Sequence, residues 1–185
     1  LAGYRRLLAA LDARVDEKGR RDRAVLHLLY DMALRREEVV RLDLADLDLE
    51  AGTVLVLGKK RTQKERLTVP APTREALAAW VAVRGKDAGP LFVNFDRAGK
   101  GARLTGRSVH RIVRDLGLDS GVGVVRPHGL RHAAITEALE ATGGNVRAVQ
   151  KFSRHRDLRV LTVYDDSRTD MAGEVAALVA GRAVA

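Results

Sequence analysis

His128 and Arg131 stand one helical turn apart in Pro127-His128-Gly129-Leu130-Arg131-His132, so a helix there presents both on one face. Pro127 suits a first helical position, and the free N–H groups at a helix start favour an anion. Arg154-His155-Arg156 follows, and Tyr164 comes nine residues after His155. Imidazoles, a phenol and arginines in this order point to phosphate chemistry. Arginine clamps phosphate oxygens bidentately without losing its proton. A phenol of pKa ~10 attacks only with help in deprotonation.

Two further clusters place cations at element ends. In Ala33-Leu34-Arg35-Arg36-Glu37-Glu38, Arg35 lies beside an apolar stripe and Glu38 follows three residues later. The pair is either a held guanidinium or an ordinary surface ion pair. Gly58-Lys59-Lys60-Arg61-Thr62-Gln63-Lys64-Glu65-Arg66 carries five cations between two β-rich runs. It reads either as a mobile cationic tip or as a solvated strand edge.

Other chemistries find little footing. The chain lacks cysteine, which excludes disulfides, zinc ribbons and thiol catalysis. It has no G-x-S-x-G, Walker A or G-x-G-x-x-G motif. His128 and His132 form H-x-x-x-H without the zincin Glu, so no metal site is expected. With 33 basic and 24 acidic side chains the net charge is +9, and the pI is near 10.4. That balance favours nucleic acid first and an anionic membrane surface second. No apolar run reaches transmembrane length and no signal peptide opens the chain, so a cytoplasmic protein is expected. The sequence opens on Leu1 inside a helical pattern and reads as a piece of a longer chain.

The elements that must hold these residues are mostly helical. Tyr4, Leu7, Leu8 and Leu11 mark a first helix. Asp16 to Arg23 reads as a charged turn, followed by a stripe of Ala24, Val25, Leu28, Leu29 and Met32. Helical register continues over Glu37 to Leu42, and Leu44, Leu47 and Leu49 mark an irregular exit. Residues 53–57 and 66–70 form a hairpin. Thr73 caps a helix through Trp80, which is expected in a core of Leu, Val and Ala. Pro90 to Val93 reads as a short strand, and Thr105 caps a helix through Leu116. Pro127 opens a helix to Thr142, Asn145 caps one through Phe152, and two more span Leu158 to Tyr164 and Asp170 to Val179. The expected fold class is mainly α with a small antiparallel β-sheet, in a single domain over 1–185. His27 is expected to pack and His110 to be exposed.

Taken in order, the clusters resemble the catalytic domain of the tyrosine recombinases, or phage integrase family. Ala33-Leu34-Arg35 with Glu38 resembles the G-L-R-x-x-E box. Gly58-Lys59, Lys64-Glu65-Arg66 and Val69-Pro70 resemble the family's hairpin box. His128-Gly129-Leu130-Arg131-His132 matches H-x-L-R-H, and Phe152-Ser153-Arg154-His155 resembles L-G-H, with Tyr164 at the nucleophile's place. Ala33 and Arg154 replace glycines, Glu37 replaces a common small residue, the hairpin tip is longer, and Asp165-Asp166 follow the tyrosine.

The resemblance implies the tyrosine recombinase catalytic-domain fold and strand cleavage of double-stranded DNA through a 3′-phosphotyrosyl intermediate. It implies neither metal nor nucleotide cofactor. Arg35, Lys59, His128, Arg131, His155 and Tyr164 become the catalytic set, with Lys59 or Lys60 reaching the leaving oxygen. Glu38 would orient Arg35, and His132 would buttress the box. Lys60, Arg61, Lys64, Arg103, Arg107 and Arg111 are candidates for other DNA phosphates. The family's N-terminal core-binding domain is not represented. Its pattern further implies a monomer that assembles into a synaptic tetramer on DNA through the C-terminal helix, in a nucleoid-associated cytoplasmic setting. Type IB topoisomerase chemistry and a DNA-binding module without catalysis are the competing readings.

Overall fold

The computed structural model describes residues 2–96, 99–155 and 157, with 176, 179 and 180. The expected helix over Leu158 to Tyr164 lies outside the described residues. So does that over Asp170 to Val179, apart from Ala176 and Val179, which are helical.

Seven helices in the described residues surround one small sheet: α1 (Ala2–Asp12), α2 (Glu17–Tyr30), α3 (Arg36–Arg41), α4 (Ala71–Arg84), α5 (Gly106–Asp119), α6 (Pro127–Ala141) and α7 (Val146–Ser153). Strands β1 (Leu47–Asp48), β2 (Thr53–Leu57) and β3 (Lys64–Thr68) pair antiparallel in sequence order. This matches the expected fold class.

Helix α2 is the central element. Ala24, Val25, Leu26, Leu28 and Leu29 are all fully buried, because α2 is wrapped on several sides by α1, α4 and α6. Its start corrects the sequence reading. Residues 17–23 are the first turns of α2, capped by Asp16, whose side chain accepts from the Gly19 N–H at 2.8 Å. Two of the charges that suggested a turn are internal: Arg21 and Asp22 are both buried and paired at 2.7 Å. The Arg21 guanidinium also lies 5.1 Å from the Phe95 ring centroid.

In β2, Val54 and Val56 point into the core while their neighbours are half-buried, as one-sided burial of a strand requires. The second strand starts earlier than its apolar residues suggest. Leu57 pairs with Lys64 and Val56 with Glu65, so the tip is residues 58–63, and Lys64 sits at its base, ion-paired to buried Asp46.

Helix α4 is capped at Pro70 rather than Thr73. Thr73 is buried in the first turn and donates to Asp31 Oδ2 at 2.8 Å. Trp80 is fully buried, donates to the Leu91 carbonyl at 2.9 Å and packs beside Phe92. The expected strand at Pro90–Val93 is two isolated bridges, Asp43 to Pro90 and Val93 to Arg103. Thr105 and Asn145 cap α5 and α7 as expected. None of the helices in the described residues is long and apolar enough to cross a membrane.

Candidate active site

Three element ends meet at the backbone around Ala33. The chain leaves α2 with Ala33 at φ 45°, and Arg35 follows in extended conformation as the N-cap of α3. Glu38, one turn into α3, has a side chain only 2% exposed. Its carboxylate accepts from the Arg35 backbone N–H at 2.9 Å and from Arg35 Nη1 at 2.8 Å. Burial alone would raise the Glu38 pKa. The Arg154 charge and the hydrogen bonds and charge of Arg35 outweigh it and hold the carboxyl below its usual range. Arg35 is thereby fixed at both its backbone and its guanidinium.

The N-terminus of α6 supplies the next two groups. His128 is exposed in the first turn. Arg131 is buried and donates to the carbonyls of Ala33 and Ser153. Its Nη2 lies 3.4 Å from His155 Nε2. His132 is exposed and is not among the residues that line the cavity described below.

His155 follows the end of α7. Its Nδ1 is 2.9 Å from Ser153 Oγ, and its carbonyl accepts from Gln150 Nε2 at 3.1 Å. The Ser153 hydroxyl donates to the Gln150 carbonyl at 3.4 Å, which leaves its oxygen to accept. This order assigns the ring proton to Nδ1 and the lone pair to Nε2, facing Arg131. Burial, then the charges of Arg131, Arg35, Arg154 and His128, push the His155 pKa down to about 4. The imidazole is therefore neutral at neutral pH while no anion is present.

Arg35, His128, Arg131 and His155 line one cavity of about 660 Å³, roofed by Lys59 and Lys60 from the hairpin. Five of the six residues singled out for catalysis thus converge. Tyr164 lies outside the described residues. A smaller cavity of about 250 Å³ adjoins Arg35 on the side of Arg154 and the hairpin tip, again between Lys59 and Lys60. Both lysines face both spaces, so the structure keeps either as the one that reaches in.

The cavity wall also holds residues the sequence did not single out. His110 is half-buried on α5 and lines it, where exposure was expected. Helix α5 starts close against α3: a Cβ on Gly106 would come within 2.6 Å of Glu37 Oε1. Arg36, Arg41 and Arg126 line it too. Arg126 was within reach of sequence reasoning, since it is the residue before Pro127 and caps α6.

The proposed DNA contacts divide. Lys60 lines the cavity, Arg61 lines the smaller one beside it, and Arg107 is exposed at the start of α5. Lys64 is held by Asp46. Arg103 donates to the Val40 and Leu42 carbonyls at 2.9 and 3.0 Å and pairs with Asp43. Arg111 pairs with Asp96 at 2.6 Å in a different groove, with Arg14 and Lys18. Among the described residues no group of three His, Asp or Glu is placed to hold a metal ion.

The chain matches the family model described as the phage integrase family over residues 2–171. It is 39% identical over 166 residues to the tyrosine recombinase slr0733 of Synechocystis sp., covering 88% of this chain and 53% of the relative. It is 39% identical over 164 residues to the tyrosine recombinase XerC of Pseudomonas aeruginosa, covering 86% of this chain and 52% of that protein. It therefore spans about half the length of these curated relatives. The fold is similar to the XerA recombinase crystal structure, with a TM-score of 0.74 and 24% identity over 95% of this chain and 62% of that one. A similar match is the XerH site-specific recombinase bound to palindromic difH substrate in a post-cleavage complex, with a TM-score of 0.74 and 22% identity over 95% and 51% of the two chains. A helical fold around a three-stranded sheet, four ordered motifs gathered on one cavity, and a match across nearly the whole sequence place the chain in the phage integrase family of tyrosine recombinases.

Proposed function

We propose that this chain is the catalytic domain of a site-specific DNA recombinase that cuts and rejoins strands through a covalent phosphotyrosyl link. The observation that carries this is the convergence of Arg35, His128, Arg131 and His155, from three separate helix ends, on a cavity roofed by lysines. Such a site suits a scissile phosphodiester, whose oxygens gain charge in the transition state.

The Tyr164 oxygen attacks the phosphorus and loses its proton to His128. The bond to the 5′-oxygen breaks, and that oxygen takes a proton from Lys59 or Lys60. A 3′-phosphotyrosyl ester remains. A second DNA 5′-hydroxyl reverses these steps, so the bond energy is conserved and no nucleotide is consumed. Arg35 and the inner Arg131 neutralise the phosphate oxygens. His155 joins them once the anion arrives: burial, then four neighbouring cations, hold its pKa down, and a negative charge beside it offsets the cationic part. Lys59 and Lys60, on the tip that lines the cavity, supply the donor for the leaving 5′-oxygen.

Double-stranded DNA is the proposed partner, with a tetramer formed on it through the C-terminal segment and a place beside the chromosome in the cytoplasm. The XerH recombinase, similar to this chain in fold, is bound to its difH substrate, which supports the DNA part of this reading.

A random-sequence pool of nicked duplexes, incubated with the chain in EDTA, tests the chemistry. A covalent adduct stable to denaturing electrophoresis is expected, and Tyr164→Phe removes it. DNA binding without adduct on the recovered sequences would instead mark a binding module, and supercoil relaxation without strand exchange a topoisomerase.

A further inference from the structure

Arg154 stands at φ 56°, in the left-handed region, where glycine has no Cβ penalty and arginine does. Its side chain nevertheless is only 6% exposed. Nη2 pairs with Glu38 Oε2 at 2.9 Å and approaches the Ala33 carbonyl at 3.4 Å. Nη1 donates to the carbonyls of Met32 and Phe152 at 3.3 and 3.2 Å. Its Nε is buried without a hydrogen-bond partner. A residue that served only the turn after α7 would be better as glycine on two counts, backbone strain and that orphaned donor. The compensation must come from what the guanidinium holds.

We propose that Arg154 is a positioning residue that fixes Arg35 for phosphate binding by sharing its anchor, Glu38. One carboxylate serves both guanidinia: Oε1 holds Arg35 and Oε2 holds Arg154 as well as the Arg35 N–H. With Oε2 gripped from the far side, Glu38 cannot rotate away, and Arg35 keeps its one orientation beside the cavity. The same guanidinium ties the start of the Arg35 segment to the residue before His155, so two of the candidate phosphate ligands are set relative to one another. This rests on the cleavage reading above only for its activity readout.

Arg154→Gly, Arg154→Lys, Glu38→Gln and the Arg154→Gly/Glu38→Gln pair test it in the 185-residue chain. On a nicked duplex recovered from the random pool, Arg154→Gly lowers the single-turnover rate of adduct formation about 10-fold or more, with Kd changed about 2-fold or less. Arg154→Lys, which restores a charge to Glu38, recovers part of the rate. In the Glu38→Gln background, adding Arg154→Gly changes the rate by less than about 2-fold, because both act through one carboxylate. Independently of cleavage, the Arg35 guanidinium NMR signals are sharp in the parent chain and broaden in Arg154→Gly. Should Arg154→Gly not fold, Arg154→Lys with and without Glu38→Gln supplies the same cycle. A parent-level rate with unchanged Arg35 signals, or losses that multiply with Glu38→Gln, overturns the assignment. If the parent chain forms no adduct, the cleavage reading fails and the Arg35 signals alone decide for or against Arg154.

Discussion

His155 is held well below the ordinary imidazole range by its surroundings. Burial and four neighbouring cations set its pKa at about 4, while an unfolded imidazole titrates near ~6.5. Between those values the unfolded chain binds the extra proton. Stability therefore falls as pH drops through this window and levels off below it. An anion in the cavity reverses the electrostatics. The His155 ring is expected to titrate near pH 4 by NMR in the free chain and at higher pH with saturating inorganic phosphate. A midpoint at the ordinary imidazole value in the free chain would mean that Arg131 and Arg35 do not crowd it.

At the scale of elements, the site depends on how α2 is braced. Asp31, at the end of α2, accepts from Tyr4 at 2.6 Å, His27 at 2.7 Å and Thr73 at 2.8 Å, joining α1 and α4 to α2. Tyr30 reaches across to Glu137 on α6. These bonds sit two and three residues before Ala33, whose carbonyl anchors Arg131. Asp31→Ala strands Thr73 and leaves Tyr4 and His27 only their mutual contact at 3.2 Å, and at about 1 kcal/mol per lost bond it is expected to cost about 2 kcal/mol in denaturant unfolding. The loss falls first on the α1–α2–α4 junction, so hydrogen exchange at α1 rises before that at α6. Uniform exchange at the level of global unfolding would argue against such a local brace.

For the whole molecule, the net charge of +9 is distributed unequally between uses. Arg103, Arg111 and Lys64 neutralise carboxylates of the chain itself, whereas Arg126 and Lys60 face the cavity. DNA affinity is expected to fall steeply with salt, with a slope near −0.9 per phosphate neutralised. Fluorescence anisotropy with a labelled duplex distinguishes the two sets. Arg126→Ala reduces the slope by about 1, and Arg111→Ala leaves it unchanged. A reversed pattern would place the DNA on the Arg111 groove.

The sequence by itself determined the helix starts at Thr105, Pro127 and Asn145, because capping is decided by residues within one turn. The resemblance of four motifs to the phage integrase family, rather than any spacing between them, grouped Arg35, Lys59, His128, Arg131 and His155. Only the tertiary structure decided where charge goes. Arg21 and Asp22 read as a solvated turn because pairing and burial come from α2's neighbours, which no window of sequence contains. Lys64 read as part of the tip because Asp46, which holds it, is far away in the chain. His110 read as exposed, and Arg154 as one more cation beside His155, for the same reason. Their places are set by the approach of α5 and of the end of α7 to α3, a long-range packing in which a buried carboxylate selects its cations by geometry.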